Sequence, residues 1–416
     1  MPLSYRALWA ATLAFGANFS VWTLYAVMGI QIRDDLALSS TQLGILLAAP
    51  IFSGAVLRWP IGILAESMDC KKLYLYQMIL LVPALFLLPS IGSYSGYLAI
   101  GLWLGISGVS FTIGIRYVSE WFETRMQGTA MGVFGSGNAG AAITLLILPL
   151  IIKYLGWDKI GLVYAIGMIL VIALFALLAP KPIQHTTYKP FEDTGHHWLR
   201  DLRIWRFGLY YYFVFGSFLA LILWLPQYYM NAYNLSFSEA MNFTLLFAFT
   251  SSLVRALGGW FSDRYGARTI NWSVFWVCLV SLFFLSYPPT TMTIHGIEGD
   301  VKIFIEINKW VFTLLLLIIG LAQGFGRASV FKLIHDHYPL QMGRVGGFIA
   351  FIGALGGCTL PVMFGLADDL IGVHSASFML LYGVLAGCMI LMHFAIKADE
   401  YQQRLKEAIE NNFLTK

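Results

Sequence analysis

Five of the 26 Lys and Arg side chains lie inside long apolar stretches: Arg58, Arg116, Arg255, Arg327 and Lys332. A cation at bilayer depth costs roughly 2.5–3.5 kcal/mol on insertion scales, so each needs a physical reason. Two of them recur in one pattern. Arg58-Trp-Pro-Ile-Gly62-Ile-Leu-Ala-Glu66 and Arg255-Ala-Leu-Gly-Gly259-Trp-Phe-Ser-Asp263 each carry Arg, then Gly four residues on, then an acid four further. Along a helix the acid lies about 12 Å beyond the arginine. Guanidinium is planar, permanently charged and matches planar oxyanions with forked donors. No Asp or Glu stands mid-span to neutralise either arginine. An anionic ligand between the pair relieves that imbalance. A lone intramembrane arginine also reads as a snorkelling or packing residue; two at repeat-equivalent positions favour binding.

The elements that must hold such a pair are transmembrane helices. Of 416 residues, 58% are hydrophobic and 12% charged, with mean hydropathy +0.72, against about a quarter charged in soluble domains. About twelve apolar runs near 20 residues long are expected, at 7–31, 42–65, 73–92, 96–119, 127–152, 159–179, 205–230, 240–262, 269–288, 308–333, 344–367 and 376–396. The first is read as retained rather than as a cleaved signal. The fold class is an all-α membrane protein: two six-helix bundles, residues 1–180 and 204–396, related by pseudo-twofold symmetry, with a linker at 181–203 and a tail at 397–416. With the N-terminus inside, sixteen Lys and Arg fall on the cytoplasmic side and five outside, so both termini are expected in the cytoplasm.

A second signal is glycine. The fifth span reads Gly128-Thr-Ala-Met-Gly132-Val-Phe-Gly135-Ser-Gly137-Asn138-Ala-Gly140, and the eleventh contains Gly346-Gly347 and Gly353-Ala-Leu-Gly356-Gly357. Such spacing lets helices touch backbone to backbone. Asn138 adds a buried amide, for a ligand or for bridging helices.

These segments resemble known ones. Gly259-Trp-Phe-Ser-Asp263-Arg264-Tyr-Gly266-Ala-Arg268 is similar to the GxxxDRxGxR loop of the major facilitator superfamily, and Gly62 to Glu66 looks like its degenerate first-half copy. The glycine runs at Gly135, Gly137 and Gly140, and at Gly353, Gly356 and Gly357, resemble the paired signatures of its nitrate/nitrite porter family. The resemblance implies the major facilitator fold and an anion clamped by Arg58 and Arg255. It also implies contacts from Asn138 and aromatic walls from Phe111, Tyr211 and Phe215, with Glu66, Asp263, Arg264 and Arg268 in gating loops. Implied partners are nitrate and nitrite, with or without protons, and membrane lipid; no nucleic acid, cofactor or metal is called for. The expected setting is a bacterial inner membrane, and the expected activity is nitrate/nitrite exchange ahead of nitrate/proton symport. A porter of formate, oxalate or another small carboxylate is the alternative.

Arg327, in Gly324-Phe-Gly326-Arg327-Ala-Ser-Val-Phe331-Lys332, departs from the family pattern, where a small or amide residue is expected. It can shift anion preference, recruit a second anion or pair with Asp336. Lys332 reads as a snorkelling residue or a proton carrier, and Arg116 as a helix ion pair with Glu120. The His196-His197 pair reads as solvated loop. Cys70, Cys278, Cys358 and Cys388 lack metal-site or disulfide spacing, and no convergent catalytic set supports an enzyme.

Overall fold

The computed structural model describes residues 2–181, 199–296 and 299–414; His196 and His197 lie outside them. Among the described residues twelve helices are long and apolar enough to cross a membrane: α1 (Leu3–Leu36), α2 (Ser40–Ser67), α3 (Cys70–Ser90), α4 (Tyr94–Ser119), α5 (Gln127–Tyr154), α6 (Trp157–Leu178), α7 (Leu202–Tyr233), α8 (Phe237–Tyr265), α9 (Ala267–Leu285), α10 (Lys309–His337), α11 (Met342–Ile371) and α12 (Ala376–Ala398). Several run a turn or more past their apolar cores, because polar residues at membrane edges still satisfy helical hydrogen bonds. The last helix continues to Leu414.

Local signals explain where the two arginine-bearing helices begin. Ser39 caps α2 in a capping box with Gln42, and Ser236 caps α8 in a capping box with Glu239. Arg58 and Arg255 each stand nineteen residues past their cap, and Glu66 and Asp263 eight further. The repeat is thus held in register from cap to terminal acid, which sets both arginines at one depth.

Each of these helices packs against a glycine-rich helix of the other half. Along α2 and α11, a Cβ on Gly44 would meet the Pro361 carbonyl, and one on Gly62 the Gly343 carbonyl. Along α8 and α5, a Cβ on Gly132 would meet the Arg255 carbonyl. Glycine here permits backbone contact that side chains forbid.

Both ends of the α2–α11 seam are fastened. At the face bearing the N-terminus, the terminal face, Glu66 accepts the Arg344 backbone N–H at 2.8 Å. At the far face Asp369 accepts the N–H groups of Ser40 (3.2 Å) and Thr41 (2.8 Å), and Asp368 the Ser40 hydroxyl (3.0 Å). Carboxylates here satisfy orphan donors at helix N-termini. The α2–α11 seam is thus held at both faces.

Between α9 and α10 the chain forms an antiparallel hairpin, β1 (Thr290–Gly296) and β2 (Gly299–Ile305). In the sequence this stretch falls between the expected spans 269–288 and 308–333.

Candidate functional site

Arg58, Arg255 and Arg327 are all buried, at 0%, 1% and 0% exposure, and none makes an ion pair among the described residues. Their positions follow from helices that lose regular α geometry beside them. α4 passes through a 3-10 turn at Gly105–Val109, α5 through one at Ser136–Ala139, and α7 through a π-helical turn at Tyr212–Ser217. Such turns redirect side chains and backbone groups, and π turns concentrate at functional sites.

Arg58 reaches across the α2–α11 seam. Its Nε donates to the Gly108 carbonyl on the α4 turn and its Nη1 to Ala350 on α11, both at 3.0 Å. The guanidinium lies 4.6 Å from the ring centroid of Trp22, which is anchored by donating to the Pro50 carbonyl at 2.8 Å. It is 5.4 Å from Phe111 and 5.2 Å from Phe215. Arg255 approaches the same ring, 5.1 Å from Phe111, and its Nη1 faces the Gly135 carbonyl at 3.5 Å. Cation–π contact is worth about 2 kcal/mol when desolvated, which partly offsets the burial of these charges.

Phe111, Tyr211 and Phe215 form parallel planes. Tyr211 and Phe215 stack at 5.0 Å and 9°, and Phe111 lies within 10° of both, with centroids 6.4 and 6.3 Å away. Among the described residues three buried donors here lack an acceptor: Arg58 Nη2, Arg255 Nε and the Tyr211 hydroxyl. Donors in excess of acceptors beside uncompensated guanidiniums suit an anion.

Asn138, on the α5 turn, faces α8 and α10. With its amide oxygen turned to them it accepts from Arg255 Nη1 at 3.0 Å and Arg327 Nη1 at 2.9 Å. Arg327 also donates through Nε to the Gln323 carbonyl (3.2 Å) and through Nη2 to the carbonyl and hydroxyl of Ser251 (2.6 Å each), 3.6 Å over Phe218. Asp336 is not its partner.

Two glycines give the site its shape. A Cβ on Gly135 would collide with the Arg255 guanidinium, and one on Gly353 with the Tyr211 ring. Gly137 and Gly140 lie against α1, while Gly356 and Gly357 lie against α7 at Gly216 and Leu219.

These placements can be set beside known proteins. The family model described as Major Facilitator Superfamily matches residues 10–361. The chain belongs to the major facilitator superfamily. It is 34% identical to a "Probable nitrate/nitrite antiporter NarK1" of Thermus thermophilus, over 99% of this chain and 96% of the relative. Within the superfamily the chain therefore belongs to the nitrate/nitrite porter family, and it is a multi-pass integral membrane transporter rather than an enzyme. It is 26% identical to a "Nitrite extrusion protein" of Bacillus subtilis (strain 168), over 96% of each. Among solved structures, the human organic anion transporter MFSD10 superposes with a TM-score of 0.70 at 14% identity, covering 94% of this chain and 100% of that one; this likeness concerns the fold.

The gating residues divide. Asp263 accepts the Thr129 N–H (2.9 Å) and hydroxyl (3.0 Å) at the start of α5, as Glu66 does for α11. Arg264 lies over Trp260 and Tyr265, 5.4 and 5.6 Å from their rings, away from the arginine cluster, and Arg268 begins α9. The Lys332 ammonium lies 3.0 Å from Asp336 and 3.4 Å from Asp263, in the fastening of this major facilitator's terminal face. Arg116 pairs with Glu120 at 2.9 Å, and desolvation holds the Glu120 carboxyl above its usual range despite that cation.

Sequence reasoning misses Trp22, Phe218, Ser251 and Gln323. A single tryptophan among 13 does not stand out in the sequence; in the structure Trp22 stands at the break in α1, before Thr23.

Proposed function

We propose that this protein carries nitrate and nitrite across a bacterial cytoplasmic membrane, both termini inside, by rocking of residues 1–180 against 204–396 about the arginine cluster. The observation that carries the reading is the convergence of Arg58 and Arg255 on Phe111, each with an unused donor and neither with a carboxylate. Phe111, Tyr211 and Phe215 offer near-parallel ring faces, with the Phe111 centroid 6.3–6.4 Å from the other two. A planar or bent, weakly hydrated monoanion such as nitrate or nitrite suits such walls, with guanidinium edges as donors. Tetrahedral, strongly hydrated phosphate and sulfate do not.

The cycle is exchange, nitrate inward against nitrite outward. Without an anion, mutual repulsion of the buried cations opposes closure, and a bound monoanion offsets it. Among the described residues no carboxylate pairs with them to take up a proton in the anion's place. The names of the relatives, an antiporter and an extrusion protein, support this direction of argument.

The test is uptake of labelled nitrate into proteoliposomes preloaded with nitrite or left without it, with and without a pH gradient. Uptake that requires internal nitrite is expected. Uptake driven by external acid alone replaces exchange with symport, and absence of nitrate movement under every condition removes the substrate assignment. Inhibition by formate stronger than by nitrite transfers the site to small carboxylates.

A further inference from the structure

Arg327 differs from the other two buried arginines in one respect. Arg58 and Arg255 each retain an unpartnered N–H, whereas the Arg327 Nε and both terminal nitrogens are engaged by protein acceptors: the Gln323 carbonyl, the carbonyl and hydroxyl of Ser251, and the amide oxygen of Asn138. Its plane is clamped 3.6 Å from the Phe218 ring centroid. Ser251 is itself fixed, donating to the Gly320 carbonyl at 2.6 Å. Gln323 donates to the Ser217 hydroxyl at 2.7 Å, on the π turn of α7. The guanidinium is therefore a rigid strut from α10 to α8 and, through Asn138, to α5 in the other half.

The consequence falls on Asn138. A primary amide presents an acceptor on one side and two donors on the other. Arg255 Nη1 and Arg327 Nη1 both claim the oxygen, so the amide N–H groups point away from the two cations. With Arg327 gone, one of the two claims disappears, the amide can turn, and Arg255 Nη1 then loses the oxygen that holds it. We propose that Arg327 is a positioning residue: it locks the Asn138 amide whose oxygen holds Arg255 Nη1, and so sets anion affinity at the Arg58–Arg255 clamp without contacting the anion. This inference rests on the anion-transport reading above.

The experiment is a double-mutant cycle in reconstituted protein, reading KM and maximal rate for nitrate counterflow in Arg327→Gln, Arg327→Lys, Asn138→Ala and Asn138→Ala/Arg327→Gln. A hydrogen bond to a charged group is worth enough for about a tenfold change in affinity. Each single substitution is expected to raise KM about tenfold with the maximal rate held within about twofold. The double is expected to stay within about twofold of the worse single, because both remove one shared contact. Arg327→Lys keeps the charge but cannot span Ser251 and Asn138 together, so its expected failure to restore KM separates geometry from field. A wild-type KM in Arg327→Gln or Arg327→Lys, or a double whose rise is the product of the singles, overturns the proposal. If Arg327→Gln does not fold, Arg327→Lys takes its place in the cycle. The thermal midpoint of each purified variant is a second readout: non-additive shifts at 138 and 327 are expected even if nitrate proves not to be carried. Lost coupling therefore defeats this inference, whereas absent wild-type counterflow defeats the substrate reading alone.

Discussion

Glu66, at the end of α2, accepts the backbone N–H of Arg344 at the start of α11, and the repeat reproduces this contact where Asp263 accepts Thr129 at the start of α5. Each half thus closes the terminal face by seating its own acid on a helix N-terminus of the other half, where the helix dipole favours negative charge. Asp263 has the additional partner Lys332. Replacing either acid by its amide removes a charge-assisted bond worth about 1.5–3 kcal/mol. Asp263→Asn and Glu66→Gln are each expected to shift the protein toward opening at that face. Spin labels at Lys72 and Tyr265, one in each half, should gain a longer-distance population, larger for Asp263→Asn because Lys332 also loses a partner. Unchanged distance distributions would remove these acids from the gate.

At the anion clamp, charge and donor geometry can be separated. Arg58 uses two nitrogens on the Gly108 and Ala350 carbonyls and keeps Nη2 for a ligand. A lysine has the same charge and no fork. Arg58→Lys and Arg255→Lys are expected to raise the KM for nitrate at least about tenfold, the equivalent of about 1.4 kcal/mol. Transport at wild-type KM by either variant would show that field alone suffices.

The twelve helices and the paired arginines are legible in sequence for separate reasons. Spans announce themselves because a bilayer tolerates only long apolar runs with their backbone bonds satisfied internally. The arginines stand out because charge is rare there and the spacing from Arg58 to Glu66 recurs from Arg255 to Asp263. Arg327 is visible as an anomaly, but its partners are not: the Ser251 and Gln323 carbonyls carry no residue-type signature. The Lys332 pairing is half legible for a related reason, since an i,i+4 acid such as Asp336 is visible in sequence and Asp263 on another helix is not. The β1–β2 hairpin escapes because its alternation of Thr, Met and Ile is weak beside the neighbouring spans.

Glycines in this chain divide by what surrounds them. Gly135 and Gly353 touch the Arg255 guanidinium and the Tyr211 ring, whereas Gly167 and Gly383 have nothing within 4 Å of an added Cβ. Gly135→Ala and Gly353→Ala must displace site side chains, with an overpacking cost of about 1–3 kcal/mol. Both are expected to lose most nitrate counterflow while still inserting and purifying as folded protein. Gly167→Ala and Gly383→Ala, in helices, are expected to transport normally and to gain up to about 1 kcal/mol in stability from helix propensity. A counterflow assay on the four variants at matched reconstitution checks the division.

The far face carries a pH-dependent fastening. His374 Nδ1 lies 2.6 Å from Asp368, which also accepts the Ser40 hydroxyl of α2. The hydrogen bond to Asp368 raises the His374 pKa above its ordinary value, against burial and Arg33, which lower it. A raised pKa means that the folded protein holds this proton more tightly than the unfolded chain. The stabilisation is therefore complete below about pH 6.5, the ordinary histidine value, and fades as pH climbs through the raised one. The side chain is 38% exposed, so solvent screening keeps the effect at or below about 1 kcal/mol. Purified wild-type protein should lose more thermal midpoint between pH 6 and pH 9 than His374→Gln, and the two curves should converge at the alkaline end. Parallel curves over that range would show that the His374–Asp368 contact contributes nothing to closure of the far face.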